Sequence, residues 1–379
     1  MKEIVISAPD EERLMAELQN KSDPGNLRLR RFLEMPDLSR NANNPIHEIV
    51  ERIFSLPDFK DCDIVRVPEI IPVKECFDLF NFPPNHPARN ASDTYFLNSE
   101  FILRPHTTVM WYYYLLSPEV QKKIKNNEDI SVISYGKVYR KDEIDRNHMN
   151  VFHQIDGLFL CPVSRREVKL DDLKDILAKI VRSVYGSDID YRFNPDNFPY
   201  TYPSLEMEVN ASGRWIEVLG GGLAHSKVLE NLGLNSKLWN GWAFGFGLER
   251  LAILSMRLPD IRLLWSQDER VLRQLHLGNV YKDVSKYPPI TRDISFVVDA
   301  DFIPNDYFDL IRDLGGGLVE DVSLLDKYED PKKFSAGKIS YTYRIVYRSN
   351  ERTLDKSEVE PIQDKIVSET KRQFGAQIR

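Results

Sequence analysis

Four short stretches of this chain gather side chains that could grip an anion or a small charged ligand. Residues 239–254 read WNGWAFGFGLERLAIL, with Gly245 and Gly247 on alternate positions ahead of Glu249, Arg250 and an apolar run. A dinucleotide fingerprint would want a third glycine where Arg250 stands. Bare alternate strand positions let a flat ring lie against backbone. Arg250, in the first helical turn, would reach over that ring to a phosphate, while Glu249 turns toward the core or a partner strand. The second stretch, YRKDEIDRNHMNVFHQIDG (139–157), puts Arg140 and Asp142 on one strand face. An arginine there binds phosphate or carboxylate bidentately, and an acidic neighbour holds its fork. The loop then offers His148, and the return strand presents Gln154 and Asp156. A charged hairpin in water is the competing reading. Against it, Phe152, Gln154 and Asp156 alternate with Val151, His153 and Ile155, which leaves no purely solvated face.

In the third stretch (197–225), Phe198 and Tyr200 share strand parity and would wall an aromatic pocket, unless they are ordinary core aromatics. Glu217 leads into Gly220–Gly221–Gly222, which signals either close approach of a ligand or a tight bend. The fourth, RPHTT (104–108), sets polar groups ahead of an apolar helix. Taken alone it reads as helix capping by Thr107 or Thr108.

The elements that must hold these residues follow from periodicity. Residues 1–43 are polar and read as an irregular arm or cap. IHEIVERIFSL, after Pro45, has helical spacing, and DCDIVRVPEII reads as a strand broken by Pro68. Residues 129–160 form two alternating runs joined by a polar loop, as in a hairpin. LDDLKDILAKIVRSVYG is an amphipathic helix ending at Gly186. Hairpin pairing, without regular strand–helix alternation, predicts a mainly antiparallel sheet flanked by helices, an α+β fold. Beyond a polar linker at 277–285, the order strand, helix, strand, strand, helix fits a split βαβ sandwich with a short extra strand.

At 379 residues, two domains are expected. The net charge of −7 requires any nucleic acid to meet a local basic face. Such a face is available near the C-terminus, where residues 327–379 carry 12 Lys and Arg against 8 Asp and Glu. There Tyr341, Tyr343 and Tyr347 interleave with Arg344, Arg348 and Arg352, as base-stacking and phosphate-pairing groups would; an ordinary polar sheet face is the alternative. Cys62, Cys76 and Cys161 suit neither a disulfide framework nor zinc-ligand spacing. The acidic N-terminus does not read as a secretory or transit peptide, so a cytoplasmic location is expected, with a processed organellar protein as the alternative.

Together, HPARNASDTYFL, LRPHTT, GKVYRKDEIDRNHMNVFHQIDG, NFPYTYPS, RWIEVLGGG and GWAFGFGLERLAIL occur in an order that resembles the class II aminoacyl-tRNA synthetases, and within them the single-chain phenylalanyl-tRNA synthetases. The tail from KYPPITRDISFVV is similar to the ferredoxin-fold anticodon-binding domain of that family. The resemblance implies an arm (1–43), a catalytic domain (44–276) built on an antiparallel sheet flanked by helices, a linker (277–285), and a ferredoxin-like α/β sandwich (286–379). It implies ATP-dependent activation of phenylalanine and transfer to tRNA-Phe by a monomer, with Mg²⁺ and without an editing site. Arg140, Arg250 and Glu217 are then the catalytic groups, and Glu217 also the metal or ribose ligand. Asp142, Asn147, His148, Met149, Phe152, Phe244, Gly245 and Gly247 complete the ATP site. The amino acid falls to His106, Thr108, Val109, Met110, Trp111, Gln154, Ile155, Asp156, Phe198, Tyr200, Gly220, Gly221 and Ala243. Tyr341, Tyr343, Arg344, Arg348 and Arg352 face tRNA. Departures are NPI (44–46) for the usual HPL and Tyr202 where relatives often carry Glu or His. The resemblance leaves open a relative charging another amino acid, or a synthetase-like RNA-binding protein without catalysis.

Overall fold

A computed structural model describes residues 3–211, 213–284, 287–329, 333–334 and 337–379. The chain divides into two compact units. The first comprises Met1–Arg140, Val151–Arg257 and Leu275–Val280; the second comprises Lys141–Asn150, Leu258–Gln274 and Tyr281–Arg379. The expected domain boundary at residues 285–286 lies outside the described residues.

The first unit is built from β1 (Glu3–Val5), β2 (Asp63–Arg66), β3 (Ile70–Pro72), β4 (Phe101–Leu103), β5 (Ile130–Tyr139), β6 (Val151–Pro162), β7 (Tyr191–Phe198), β8 (Thr201–Ala211), β9 (Arg214–Ala224) and β10 (Trp239–Gly247). Eight of these form one sheet in the order β1-β2-β5-β6-β10-β9-β8-β7, and β3 pairs with β4 separately. From β5 to β7 every pairing is antiparallel, as expected. At the other edge β1–β2 and β2–β5 are parallel, so the sheet is mixed.

That edge corrects the reading of the N-terminal arm. Beyond β1, it folds into helices Pro9–Gln19 and Pro24–Glu34, which bury Leu14, Leu18, Leu29 and Phe32. Glu11 ties the first helix down by accepting the backbone N–H groups of Glu69 and Ile70 at 2.6 and 3.1 Å. Few apolar residues at i, i+3 or i, i+4 spacing suffice when a sheet edge lies ready to cover them.

The helix Pro45–Phe54 starts because Asn44 accepts the Ile46 N–H at 3.0 Å and Pro45 needs no donor partner. It buries Ile46, Ile49, Val50 and Ile53. The helix Leu170–Tyr185 buries Leu173, Leu177, Ile180 and Val184 and stops at Gly186, whose φ of 95° disfavours a side chain. Both show the amphipathic stripe read from the sequence.

In the second unit, β11 (Ile290–Asp299), β12 (Val319–Tyr328), β13 (Lys338–Tyr347) and β14 (Gln377–Ile378) form an antiparallel sheet in the order β12-β13-β11-β14. With helices Pro304–Gly315 and Lys356–Phe374 this is the expected split βαβ sandwich. Its core stacks Phe296, Tyr307, Tyr341 and Tyr343. Tyr341 and Tyr343 are therefore core residues, 4% and 2% exposed, not base-stacking platforms. Their neighbour Arg344 points to the opposite face, where it forms a two-bond ion pair with Asp293 at 2.8 and 2.7 Å. Arg348 donates to Glu320 and to the Tyr287 carbonyl, and Arg352 to Glu358.

Candidate active site

Strand register fixes what can share a face. Gly245 on β10 lies opposite Asp156 on β6 and Gly220 on β9, so these three form one row across the sheet. Gly247 lies opposite Gln154. Phe244 belongs to the other parity, opposite Gly157 and Gly221. Its ring, 2% exposed, occupies the space a Gly157 side chain would need, and a Cβ on Gly221 would meet Leu173 of the helix Leu170–Tyr185. Phe244, Gly221 and the fully buried Ile155 therefore line the helix-covered face, not the one bearing Asp156. Adjacent residues of a strand cannot both line one site.

On the open face each glycine has a specific reason. A Cβ on Gly245 would stand 2.6 Å from Oδ1 of Asp156, and one on Gly220 would stand 2.8 Å from the Phe198 ring. Gly245 is thus bare for a carboxylate and Gly220 for an aromatic ring. Only Gly247 borders open ring surface, 3.9 Å from Phe152.

Asp156 is the polar anchor of this floor. It is 2% exposed, and both Thr107 and Thr108 donate their hydroxyls to it, Thr108 at 2.6 Å. Burial raises its pKa to about 6, against the threonine donors and the charges of Arg140 and Arg104. Neither threonine caps the following helix, whose N-terminus has no side-chain partner. Thr107, read from the sequence only as a cap, is thus part of the anchor. Beside it, Oε1 of Gln154 and Nδ1 of His106 are buried without a hydrogen-bond partner among the described residues. Burial, reinforced by Arg140 and Arg104, lowers His106 to about 3, so the ring stays neutral.

An aromatic box stands around this anchor. Tyr200 stacks on Phe198 with centroids 6.0 Å apart, Trp111 meets Tyr200 edge-on at 6.3 Å, and His106 lies parallel to Phe82 at 5.7 Å. Tyr200 occupies the turn between β7 and β8, so it shares a wall with Phe198 without sharing its strand. Phe80 and Phe82, which sequence reasoning missed, come from the segment following β3; the spacing of Phe77, Phe80 and Phe82 was the available signal. Ala243 packs among these rings on the Gly245 side of β10. Val109 and Met110 are fully buried in the core.

Two cations and a carboxylate edge the floor. The Arg140 guanidinium donates to the Pro105 carbonyl at 2.9 Å and lies over the Phe152 ring, 5.1 Å from its centroid. Arg250 donates to the Glu217 carbonyl at 3.2 Å and sits 3.6 Å from its carboxylate, both side chains about half exposed. Partial burial raises the Glu217 pKa; Arg250 opposes this, whereas Glu206, Asp196 and Glu208 add to it. Asp142, Asn147, His148 and Met149 fall in the second unit. There the Asp142 carboxylate accepts the Glu143 N–H at 2.8 Å, and Asp145 accepts the His148 ring at 2.8 Å and the N–H groups of Asn147 and His148. This stretch is anchored on the sandwich: Lys141 pairs with Asp306 at 2.7 Å, Arg146 with Glu320 at 2.7 Å, and Ile144 joins the core. Among the described residues, no group of three or more His, Cys, Asp or Glu is arranged to hold a metal ion.

A floor with an acidic anchor, an aromatic box to one side and two arginines at the rim suits a small ammonium-bearing aromatic ligand beside a polyphosphate. Residues 32–275 match the family model of the class II tRNA synthetase core domain (F), and residues 285–379 match the ferredoxin-fold anticodon-binding domain. The mitochondrial phenylalanine–tRNA ligase of Mus musculus is 36% identical over 78% of this chain and 70% of its own. The chloroplastic/mitochondrial phenylalanine–tRNA ligase of Arabidopsis thaliana is 36% identical over 82% of this chain and 71% of its own. The phenylalanine–tRNA ligase alpha subunit of Persephonella marina is 39% identical over 56% of this chain and 61% of its own. The chain belongs to the class II tRNA synthetases and, among them, to the phenylalanine–tRNA ligase family, with the anticodon-binding domain on the same chain.

Proposed function

We propose that this chain activates L-phenylalanine with ATP and transfers it to tRNA-Phe, acting alone as a monomer. The observation that carries the amino-acid half is the buried anchor of Asp156, Thr107 and Thr108 beneath an aromatic box, with the unpartnered Gln154 oxygen beside it. Asp156 and Gln154 accept the substrate ammonium, and Phe198, Tyr200 and the rings around them enclose its phenyl group. The carboxylate left outside attacks the α-phosphorus of ATP, pyrophosphate leaves, and a ribose hydroxyl of the tRNA terminus then displaces AMP from the adenylate. No protein nucleophile is needed; alignment and charge neutralisation carry the step.

Arg140, at the end of β5, holds the α-phosphate and substrate carboxylate together. Arg250 holds the far end of the triphosphate, and Phe152 offers the adenine a ring face bordered by bare Gly247. Glu217, already raised by burial and by neighbouring acids, fits a Mg²⁺ ion delivered with the phosphates rather than a protein-built cage. When bound, that ion neutralises phosphate charge.

A pocket of rings rejects tyrosine by steric and desolvation cost, the weaker kind of discrimination. We propose that nothing in this chain hydrolyses Tyr-tRNA. The functional domains are taken as 44–276 and 286–379, with residues 1–43 contributing to the first, while residues 141–150 and 258–274 pack with the second compact unit. Arg344, Arg348 and Arg352 remain the candidates for tRNA contact. The relatives' names favour an organellar location over the cytoplasmic one. The deciding experiment is aminoacylation of tRNA-Phe by the purified chain with no second subunit, run beside ATP–pyrophosphate exchange with a panel of amino acids. Exchange driven best by another amino acid, or charging that requires a second chain, overturns the reading. Sedimentation at micromolar concentration tests the monomer.

A further inference from the structure

Among the buried groups that the proposed chemistry leaves unused are His153 and Glu249, which contact each other. His153 lies between Phe152 and Gln154 on β6, and its ring is fully buried on the opposite face. Both Glu249 carboxylate oxygens lie 2.9 Å from the His153 backbone N–H, and Oε1 lies 2.6 Å from ring Nδ1. On the far side of the ring, Nε2 accepts the Leu38 N–H at 3.0 Å. A ring nitrogen that accepts an N–H carries no proton, so Nδ1 holds the proton and donates it to Glu249. Asp37 also faces the ring, 3.4 Å from Nε2, and is itself paired with Arg40.

Glu249 directly precedes Arg250 in the first turn of the helix Leu248–Met256. Successive helical side chains are set about 100° apart, so anchoring Glu249 from three donor contacts fixes the direction in which Arg250 leaves the helix. Arg250 is half exposed, and among the described residues Glu217 is the partner that holds it.

The geometry points to His153 and Glu249 as positioning residues that fix the direction of Arg250, closed from behind by the Leu38 amide. This rests on the reading of Arg250 as an ATP-binding group. The couple never touches substrate; it acts through Arg250.

ATP–pyrophosphate exchange by the full chain tests it. His153→Ala and Glu249→Ala should each raise KM for ATP about tenfold while KM for phenylalanine moves less than about twofold. The double variant should be no worse than the worse single, because both changes break one unit. Glu249→Gln, whose amide oxygen can still accept both His153 donors, should recover most of the ATP affinity. If an alanine variant does not fold, His153→Asn carries the test: its amide replaces Nδ1 but leaves the Leu38 N–H without an acceptor, and KM for ATP should still rise. A purely structural couple would lower the melting temperature and leave KM for ATP unchanged in the folded variants, which overturns the inference. Absence of phenylalanine-dependent exchange in the parent chain would instead sink the functional reading.

Discussion

A side chain on Gly245 would stand 2.6 Å from the Asp156 carboxylate that lies across from it on the neighbouring strand. The carboxylate has no room to retreat, since the Thr107 and Thr108 hydroxyls already grip it. Gly245→Ala should therefore displace the anchor itself. Overpacking of this kind costs about 1–3 kcal/mol, so kcat/KM for phenylalanine should fall roughly tenfold to a hundredfold. Exchange kinetics at varied phenylalanine check this, and an unchanged KM for the amino acid would remove Asp156 from its site.

Asp156 also sets a pH dependence. Burial lifts its pKa to about 6, whereas an unfolded aspartate titrates near 4. As pH falls through about 6 the anchor loses its charge, and kcat/KM for phenylalanine should drop about tenfold per unit. Stability runs the other way. A carboxyl raised by folding contributes stability fully present below about 4 and lost as pH rises through about 6. Asp156→Asn should thus stabilise the fold by up to about 3 kcal/mol at pH 8 and by about half that at pH 5, while abolishing exchange. Thermal melts at both pH values, set beside exchange rates, check the pair of effects.

At the other end of the floor, Arg250→Ala should lower kcat/KM for ATP by roughly a hundredfold, the scale of one lost transition-state donor. Glu217→Gln should instead shift the Mg²⁺ concentration needed for half-maximal exchange upward, with a smaller loss at saturating metal. Titrating Mg²⁺ in both variants separates the roles; identical metal profiles for Glu217→Gln and the parent chain would remove Glu217 from the metal.

In the ferredoxin-like unit the predictions split by sheet face. Tyr343→Ala opens a hole among Phe296, Tyr307 and Phe308, and should cost about 3–5 kcal/mol in denaturant unfolding. Arg344→Ala, on the opposite face, should leave stability within about 0.5 kcal/mol and raise KM for tRNA severalfold, with exchange untouched. If Arg344→Ala left KM for tRNA unchanged, this face would not be the RNA surface.

The residues that carry charge were legible because their types are rarely placed without reason. Arg140, Asp156, Gln154, Glu217 and Arg250 came from their spacing on strands and a helix start, and the fold brings them to one floor in the first unit. Glu249 was expected to turn away from the ligand, and it does so onto His153. What failed was the choice of face. Phe244 and Gly245 are neighbours on one strand, yet the adenine site was expected to use both, which alternation forbids. The same parity puts Tyr341 and Tyr343 in a core and Arg344 outside it. Periodicity divides a strand into two sets but cannot say which set a helix will cover.

The sequence by itself determined the hairpin-paired strands and amphipathic helices beyond the N-terminal segment, the ferredoxin-like order at the C-terminus and the identity of the charged groups. These follow from local spacing, turn residues and side-chain chemistry, all contained within short windows. The tertiary structure decided which glycine is bare for what, that Thr107 belongs to the anchor, and that Phe80 and Phe82 wall the pocket. It also decided that the polar N-terminal segment completes the central sheet. Each of these depends on register and approach between segments far apart in the chain, where distance, not residue type, selects the partner.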